Sequence, residues 1–220
     1  MNIEPVAYFH SPLREKFGIP RQAGLAPGLR GEVRFVKPFD APEAVRGLEG
    51  FDWCWLIWGF SQNQWEPGRL TVRPPRLGGN ERVGVFASRS PFRPNGLGLS
   101  CVRIDKVGEG LIEVSGADLA DGTPVYDVKP YVAYADSRPG ARSGFVDSRE
   151  WPLLNVIVPE SLKNKLLPDQ LEALVQILAQ DPRPHYQDDS ERVYGLVFGD
   201  MEIKFRISGD ELFVLSAEKC

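Results

Sequence analysis

Residues 69–100 concentrate the side chains best suited to bind an anion. This arginine segment holds six arginines and a single acid, Glu81, although the whole 220-residue chain carries a net charge of −4. A guanidinium group presents several N–H donors in one plane, which suits phosphate or carboxylate. The intervening prolines fix the backbone angle φ, and the glycines permit backbone angles that other residues avoid. The pattern favours an anion-binding surface over its alternative, a solvated arginine-rich loop. The six are Arg69, Arg73, Arg76, Arg82, Arg89 and Arg93.

The apolar run 83–87 inside the arginine segment predicts a buried strand that anchors the flanking loops to a core. Further along, Asp118 and Asp121 stand in a stretch closed by Gly122 and Pro124, where two carboxylates could accept hydrogen bonds from a ligand. The alternative is an Asx-turn, in which Asp121 bonds its own backbone.

Several common catalytic machineries are absent from the sequence. No G-x-G-x-x-G motif follows a predicted strand and no P-loop is present, which rules against a Rossmann-type fold. The two histidines, His10 and His185, are far apart, which excludes a multi-histidine metal site and disfavours a Ser-His-Asp triad. We therefore expect no metal.

Composition and cysteine usage indicate an ordinary globular protein of the cytoplasm. No run of about 18 apolar residues predicts a membrane-spanning helix, and the N-terminus lacks the pattern of a secretory signal. Cys54, Cys101 and Cys220 show no metal-type spacing and are expected to be reduced thiols. We expect no contact with a membrane.

Short apolar runs between frequent prolines and glycines predict a mainly β fold, with a closed or nearly closed barrel over residues 1–140. Apolar residues at helical spacing predict a helix at 168–180, and three hairpin-linked strands follow it. We expect these elements to form a small α+β domain over residues 141–220. The barrel strands are predicted at 4–9, 30–35, 52–60, 69–73, 82–87, 98–105 and 111–115, with a short helix at 41–48.

Four sequence blocks resemble the TrmO family, also called TsaA-like or YaeB-like. They are FGIPRQ at 17–22, the arginine segment with RPPRLGGN, GVFASRSPFRPN and GLGLS, DLADGTPV at 118–125 and DVKPY at 127–131. The resemblance implies a TsaA-like β-barrel domain that binds S-adenosylmethionine. It implies a tRNA methyltransferase that modifies N6 of threonylcarbamoyladenosine beside the anticodon, at tRNA position 37. A homodimer with donor sites near the subunit interface is also implied.

The resemblance implies a donor site built from several loops and one barrel strand. In it, Arg21 with Gln22 could hold the donor's carboxylate or a phosphate of the tRNA. For phosphate contacts with tRNA we assign Arg73, Arg76, Arg82 and Arg93. The implied donor-site residues are Pro20, Arg21, Gln22, Ser61, Gln62, Arg89, Leu99, Asp118, Leu119, Ala120, Asp121, Gly122 and Thr123.

Methyl transfer from a sulfonium needs mainly alignment, and a base would assist by removing the proton of a carbamoylated N6. Asp127 is the candidate base, while Lys129 or Tyr131 could stabilise charge on the carbamoyl oxygen. The alternative for Asp127 and Lys129 is a solvated pair on a strand. Asn95 could orient the acceptor base or cap a turn.

Two positions depart from the family pattern. Ser61 stands where the family commonly has histidine, and Gly96 stands where a proline usually follows FRPN. Two alternative functions follow: a non-enzymatic module that binds S-adenosylmethionine or tRNA, and a methyltransferase with a small-molecule acceptor. The C-terminal α+β domain is expected to help hold the tRNA. A chain lacking residues 151–220 is therefore expected still to bind the donor and to lose mainly its activity on tRNA.

Overall fold

The computed structural model describes residues 2–74, 81–148, 151–183 and 189–220. Two residues considered in the sequence, Arg76 and His185, lie outside these described ranges. Within them the strands are β1 (Ala7–His10), β2 (Arg30–Phe35), β3 (Trp53–Gly59), β4 (Thr71–Val72), β5 (Val83–Gly84), β6 (Leu97–Gly108), β7 (Leu111–Ser115), β8 (Thr123–Pro130), β9 (Asn155–Ile157), β10 (Tyr194–Phe198), β11 (Met201–Ser208) and β12 (Glu211–Lys219). The helices are α1 (Pro42–Val45), α2 (Ala133–Asp136), α3 (Glu160–Lys163) and α4 (Pro168–Ala179).

Six of the strands close into a barrel, so the predicted mainly β architecture is confirmed. Their order is β1-β2-β7-β6-β3-β8, with antiparallel neighbours throughout. Side chains alternate between the two faces: Cys54, Leu56 and Trp58 of β3 are buried, while Trp53 on the opposite face is 41% exposed. The barrel therefore has a filled apolar interior and an outer face that carries aromatic side chains.

The C-terminal part is the predicted α+β unit with one additional strand. β10, β11 and β12 form the expected meander, and β9 adds a parallel edge strand beside β12. α4 begins at Pro168, as its sequence predicts, and buries Leu174, Ile177 and Leu178 against this sheet. None of the described helices has the length and apolar composition that a membrane span requires.

The apolar run within the arginine segment does not form the predicted buried strand. Only Val83–Gly84 is extended, and it pairs with Thr71–Val72 as a two-stranded ribbon. Val85–Ala87 then turns into a 3₁₀ helix, which buries Val85 and leaves Phe86 77% exposed. Because a lone ribbon has no packed sheet face to bury alternate side chains, one valine anchors the run.

The loop between β1 and β2, residues 11–29, packs into the core of the C-terminal part. Leu13, Ala26 and Leu29 are buried in the same apolar cluster as α4 and the C-terminal sheet. The ring of Phe17 stacks near those of Tyr194 and Phe205, with centroid distances of 6.4 and 6.3 Å. The β1–β2 loop therefore shares the core of the C-terminal part, which is separate from the barrel core, and the C-terminal part holds the loop that contains FGIPRQ.

Candidate active site

A cavity of about 500 Å³ lies beside β3 and β6, and we call it the donor cavity. Ten of the thirteen residues implied for the donor site line it. The sequence therefore identified, from three of the four blocks and from residues 61–62, side chains that the fold brings together. The ten are Pro20, Arg21, Gln22, Ser61, Gln62, Arg89, Leu99, Asp118, Ala120 and Thr123.

The β1–β2 loop forms one wall of the donor cavity, and backbone hydrogen bonds to Gly116 fix its second half. Gly24 N–H donates to the carbonyl of Gly116 at 2.8 Å, and Gly116 N–H donates to that of Leu29 at 2.9 Å. A guanidinium nitrogen of Arg21 donates to the carbonyl of Asp181, in the C-terminal part, at 3.2 Å. The placement of Arg21 at the cavity thus depends on both parts of the molecule.

Asp118 supplies a carboxylate at the inner wall of the cavity. The hydroxyl of Ser100 donates to Asp118 Oδ1 at 2.5 Å, and Trp58 Nε1–H donates to that hydroxyl at 2.9 Å. Burial raises the pKa of Asp118, although hydrogen bonds from Ser100 and backbone N–H groups and the charge of Arg89 oppose the rise. The Trp58–Ser100 pair therefore connects the barrel interior to this carboxylate and fixes its orientation.

Arg89 and Gln22 join the arginine segment to the β1–β2 loop across the cavity. Arg89 Nη1 donates to Gln22 Oε1 at 2.5 Å. This bond engages one edge of the guanidinium and so orients its remaining N–H groups. The side chains of Arg89 and Gln22 both line the cavity. The hydrogen bond thus positions a positive charge at the donor cavity.

Three of the implied donor residues lie outside the lining of this cavity. Leu119 is 1% exposed within the barrel core, and Gly122 occupies the left-handed region at φ 74°. Asp121 Oδ1 accepts the backbone N–H of Ser11 at 3.1 Å and lies 3.4 Å from His10 Nδ1. Asp121 therefore holds the end of β1, and direct donor binding by these three residues stays a prediction.

The structure does not bring the predicted catalytic groups of β8 to the donor cavity. Asp127 Oδ2 forms an ion pair with Lys129 Nζ at 3.0 Å, and both side chains are substantially exposed. Tyr131 donates its backbone N–H to Trp53, and its ring centroid lies 6.0 Å from that of Trp55. The solvated strand pair, which was the alternative, describes Asp127 and Lys129, and their catalytic roles stay predictions.

A second cavity, of about 310 Å³, adjoins the first, and we call it the adjoining cavity. Asn95 lines it, in the left-handed region at φ 65°. Trp65 and Tyr126 also line it, and neither was selected from the sequence. Trp65 could have been noticed, because it precedes the arginine segment as an aromatic residue within a polar stretch.

The turn around Asn95 explains one departure from the family pattern. Gly96 also has a positive φ, 57°, and a Cβ there would meet open space. Proline fixes φ near −65°, so a proline at this position requires a different local backbone. Glycine thus gives this chain a left-handed turn at the edge of the adjoining cavity.

The arginines predicted to contact tRNA fall into two locations. Arg73 and Arg82 are exposed residues next to the paired residues of the β4–β5 ribbon. Arg93 instead lines both cavities, and its Nη1 donates to the carbonyl of Ser88 at 3.0 Å. The ribbon arginines are therefore placed for long-range contacts, whereas Arg93 is placed for a local one.

Neither barrel thiol is poised for nucleophilic chemistry. Burial raises the pKa of Cys54 to about 12, with a smaller effect of Cys101, and burial also raises the pKa of Cys101. No three His, Cys, Asp or Glu side chains among the described residues form a group that could hold a metal ion.

Family models match nearly the whole chain. The tRNA-methyltransferase O N-terminal domain matches residues 8–137, and the TrmO C-terminal domain matches residues 153–220. The chain belongs to the TrmO family. This membership agrees with the closed barrel, the C-terminal α+β unit and the cavity that residues of the blocks FGIPRQ and SRSPFRPN line.

Individual relatives of this TrmO family member cover almost its full length. It is 38% identical over 226 residues to the tRNA (adenine(37)-N6)-methyltransferase of Escherichia coli strain K12, which covers 96% of each chain. It is 42% identical over 218 residues to a Pseudomonas aeruginosa protein named as an S-adenosylmethionine-dependent methyltransferase, covering 96% of this chain and 94% of that protein. A crystal structure of Pseudomonas aeruginosa TrmO matches with a TM-score of 0.84 at 36% identity, covering 100% and 97% of the two chains.

Proposed function

We propose that this TrmO family member transfers a methyl group from S-adenosylmethionine to N6 of adenine 37 in tRNA, with threonylcarbamoyladenosine as the acceptor nucleoside. The observation that carries the proposal is the donor cavity, which collects ten predicted side chains from loops distant in sequence. Relatives with the same domains are named as tRNA adenine-N6 methyltransferases. We place its activity in the cytoplasm, in agreement with three cysteines that are free in the structure.

The residues of the donor cavity fit the chemical groups of S-adenosylmethionine. Arg21 and Arg89 offer guanidinium groups that suit its carboxylate, and Asp118 offers a carboxylate that suits its ammonium or ribose hydroxyls. Trp55 and Leu99 supply apolar surface for the adenine ring. When bound, this donor supplies a methyl group already activated by sulfonium.

Alignment is the main task left to the protein. A displacement of this kind is accelerated chiefly by holding the nucleophile in line with the methyl group, so a preformed cavity with fixed walls is effective. The Trp58–Ser100–Asp118 hydrogen bonds and the Arg89–Gln22 bond fix two of those walls. We keep Asp127 as a predicted base only, because its carboxylate is paired with Lys129.

The direct test incubates the purified protein with S-adenosylmethionine and tRNA that carries threonylcarbamoyladenosine, and analyses the nucleosides by mass spectrometry. We expect one added methyl group on the modified adenosine. Donor binding without methylated nucleoside would instead favour a non-enzymatic binding module. Methylation of small molecules but not of tRNA would favour the alternative acceptor class.

We also propose that two copies associate through the outer face formed by β3 and β6. Trp53, Leu97 and Leu99 are 41%, 36% and 56% exposed there, which is unusual for large apolar side chains on one face. Leu97 and Leu99 also line the donor cavity, so a second copy on this face would cover its open side. Light scattering of the purified chain gives the stoichiometry directly.

Asp118→Asn is expected to weaken binding of S-adenosylhomocysteine by tenfold or more at pH 7 and to remove part of its pH dependence. The raised pKa means that protonation of Asp118 competes with the ligand's ammonium at a higher pH than for an ordinary aspartate. Affinity of the wild type should therefore fall as the pH is lowered through this pKa. Titration calorimetry at a series of pH values from neutral downwards measures it.

The same substitution should not destabilise the free protein at neutral pH. A carboxyl with a raised folded-state pKa contributes stability only when protonated, and that contribution is lost as the pH rises through the folded pKa. Removing the charge is thus neutral or favourable for folding at pH 7. A variant that loses donor affinity only because it unfolds would contradict this assignment, and thermal denaturation distinguishes the two cases.

Arg82→Ala is expected to lower the salt dependence of tRNA binding while leaving donor affinity unchanged. Each lost phosphate contact reduces the slope of log K against log salt by about one unit. Arg89→Ala should instead weaken donor binding first, because its guanidinium lines the donor cavity and bonds Gln22. If both substitutions weaken donor binding alike and leave the salt slope unaltered, the tRNA surface lies elsewhere.

A further inference from the structure

We propose that the adjoining cavity receives the acceptor purine, turned out of the RNA stack, with Trp65 as the surface on which the base lies. The inference rests on the proposed function and adds a location for the acceptor. Enzymes that modify a nucleobase hold it in a pocket by stacking and by hydrogen bonds to its edge. The adjoining cavity offers both kinds of contact.

The two cavities share a wall, so that groups held in each would meet. Phe60, Ser61 and Arg93 are among the residues that line both. Gly59 also lines both, and a Cβ there would lie 2.8 Å from the hydroxyl of Tyr126. The missing side chain lets the ring of Tyr126 lie over this shared wall, at the rim of the adjoining cavity.

A hydrogen bond of its indole orients Trp65 at the adjoining cavity. Its Nε1–H donates to the carbonyl of Arg69 at 3.0 Å, and Arg69 N–H donates to the carbonyl of Glu66 at 3.1 Å. The indole N–H, which is the only donor of this side chain, is therefore already used. Trp65 can offer a ligand only the face of its aromatic ring. Stacking on a fixed aromatic ring suits an unpaired base.

Asn95 supplies the polar edge of the same cavity. Its carboxamide has both donor and acceptor groups, which match the mixed pattern on the edge of an adenine. The turn that presents it is fixed by Gly96 N–H, which donates to the carbonyl of Arg93 at 3.2 Å, and by Phe60 N–H, which donates to the carbonyl of Gly96 at 2.8 Å. The backbone that carries Asn95 is therefore fixed beside the cavity.

Basic residues follow Trp65 along the chain, and Arg93 lines the adjoining cavity itself. The turn that orients Trp65 ends at Arg69, where the arginine segment begins. The guanidinium of Arg69 lies 5.5 Å from the ring centroid of Phe92. The β4–β5 ribbon with Arg73 and Arg82 follows directly. An RNA backbone on this ribbon would place an unstacked base of the same loop near Trp65.

The test is a cycle of two changes, measured as binding of an anticodon stem-loop RNA in the presence of S-adenosylhomocysteine. One change is Trp65→Ala, and the other replaces nucleotide 37 of the RNA by an abasic site. For the wild type we expect the abasic site to lower affinity about tenfold or more, and for Trp65→Ala we expect little further loss. Equal losses with both proteins would overturn the inference.

Two variants separate stacking from a structural effect. Trp65→Phe keeps an aromatic face and loses only the hydrogen bond to Arg69, so it should retain most of the wild-type kcat/KM for tRNA. Tyr134→Ala is the matched control, because Tyr134 is 90% exposed and lines neither cavity. If Trp65→Phe loses as much as Trp65→Ala, the residue acts through its turn and the inference fails.

Failure of the proposed function gives a different result from failure of this inference. If the wild type methylates no tRNA but the binding cycle shows coupling between Trp65 and nucleotide 37, the cavity is confirmed and the reaction is not. If the wild type methylates tRNA and Trp65→Ala does so with unchanged kcat/KM, the reaction stands and the acceptor lies elsewhere.

Discussion

Removal of residues 151–220 is expected to abolish binding of S-adenosylhomocysteine, contrary to the expectation from the sequence. The reason is the shared core: Leu13, Ala26 and Leu29 of the β1–β2 loop are buried against α4 and the C-terminal sheet. Each such side chain contributes roughly 1–3 kcal/mol when buried, and exposing all of them releases the loop. Pro20, Arg21 and Gln22 then lose their positions at the donor cavity.

The measurement is titration calorimetry on the truncated chain, with circular dichroism to establish whether the barrel is folded. A folded truncated barrel with wild-type affinity would show that the loop holds its own conformation, which contradicts the prediction. Because the truncated chain could fail to fold, the substitution Phe17→Ala tests the same contact between the loop and the C-terminal part with a smaller change. Loss of a partly buried ring should cost about 2–3 kcal/mol, with reduced donor affinity, whereas Phe17→Leu should retain most of both.

Gly98→Ala is expected to destabilise the protein by about 1–3 kcal/mol and to weaken donor binding. A Cβ at Gly98 would lie 2.3–2.7 Å from ring atoms of Trp58. That ring is 6% exposed, packs edge-on against Phe60 at a centroid distance of 4.4 Å and donates to Ser100. The indole cannot shift without disturbing the hydrogen bond that Ser100 makes to Asp118.

Gly108→Ala is the matched control on the same strand. The nearest atom to its added Cβ is 3.5 Å away, which is an ordinary contact distance. Thermal denaturation should therefore show a clear loss of stability for Gly98→Ala and little change for Gly108→Ala. Wild-type stability and donor affinity for Gly98→Ala would mean that Trp58 can move freely, which contradicts the role assigned to it.

The sequence predicted elements well where an apolar pattern and a packed face coincide. α4 forms over nearly the predicted residues, although Ala173 and Ile177 join Leu174 and Leu178 on its buried face. The barrel strands alternate as expected because one face meets a filled interior. β8 was treated only as motif blocks, since Asp127 and Lys129 interrupt its apolar character. β9 has three residues, too few for a period to be visible.

The sequence predicted most of the residues that line the candidate site, but not the contacts that their side chains make. The motif blocks contain eight of the ten implied residues that line the donor cavity, and Ser61 and Gln62 are the other two. Such blocks identify side chains but do not give their directions. Spacing could not reveal that Asp121 binds Ser11 or that Asp127 pairs with Lys129, since both depend on register and rotamer. Trp65 and Tyr126 were missed because their common cavity unites a loop and a bulged strand.

The packing of the β1–β2 loop also sets the order in which this molecule matures during translation. Leu13 and Phe17 emerge early from the ribosome, but Tyr194 and Phe205, which cover them, are added roughly 10–40 s later at ordinary elongation rates. Until then the nascent chain exposes an apolar loop that chaperones can recognise. The donor cavity can therefore be completed only after Tyr194 and Phe205 have been added, so a shorter nascent chain is expected not to bind the methyl donor.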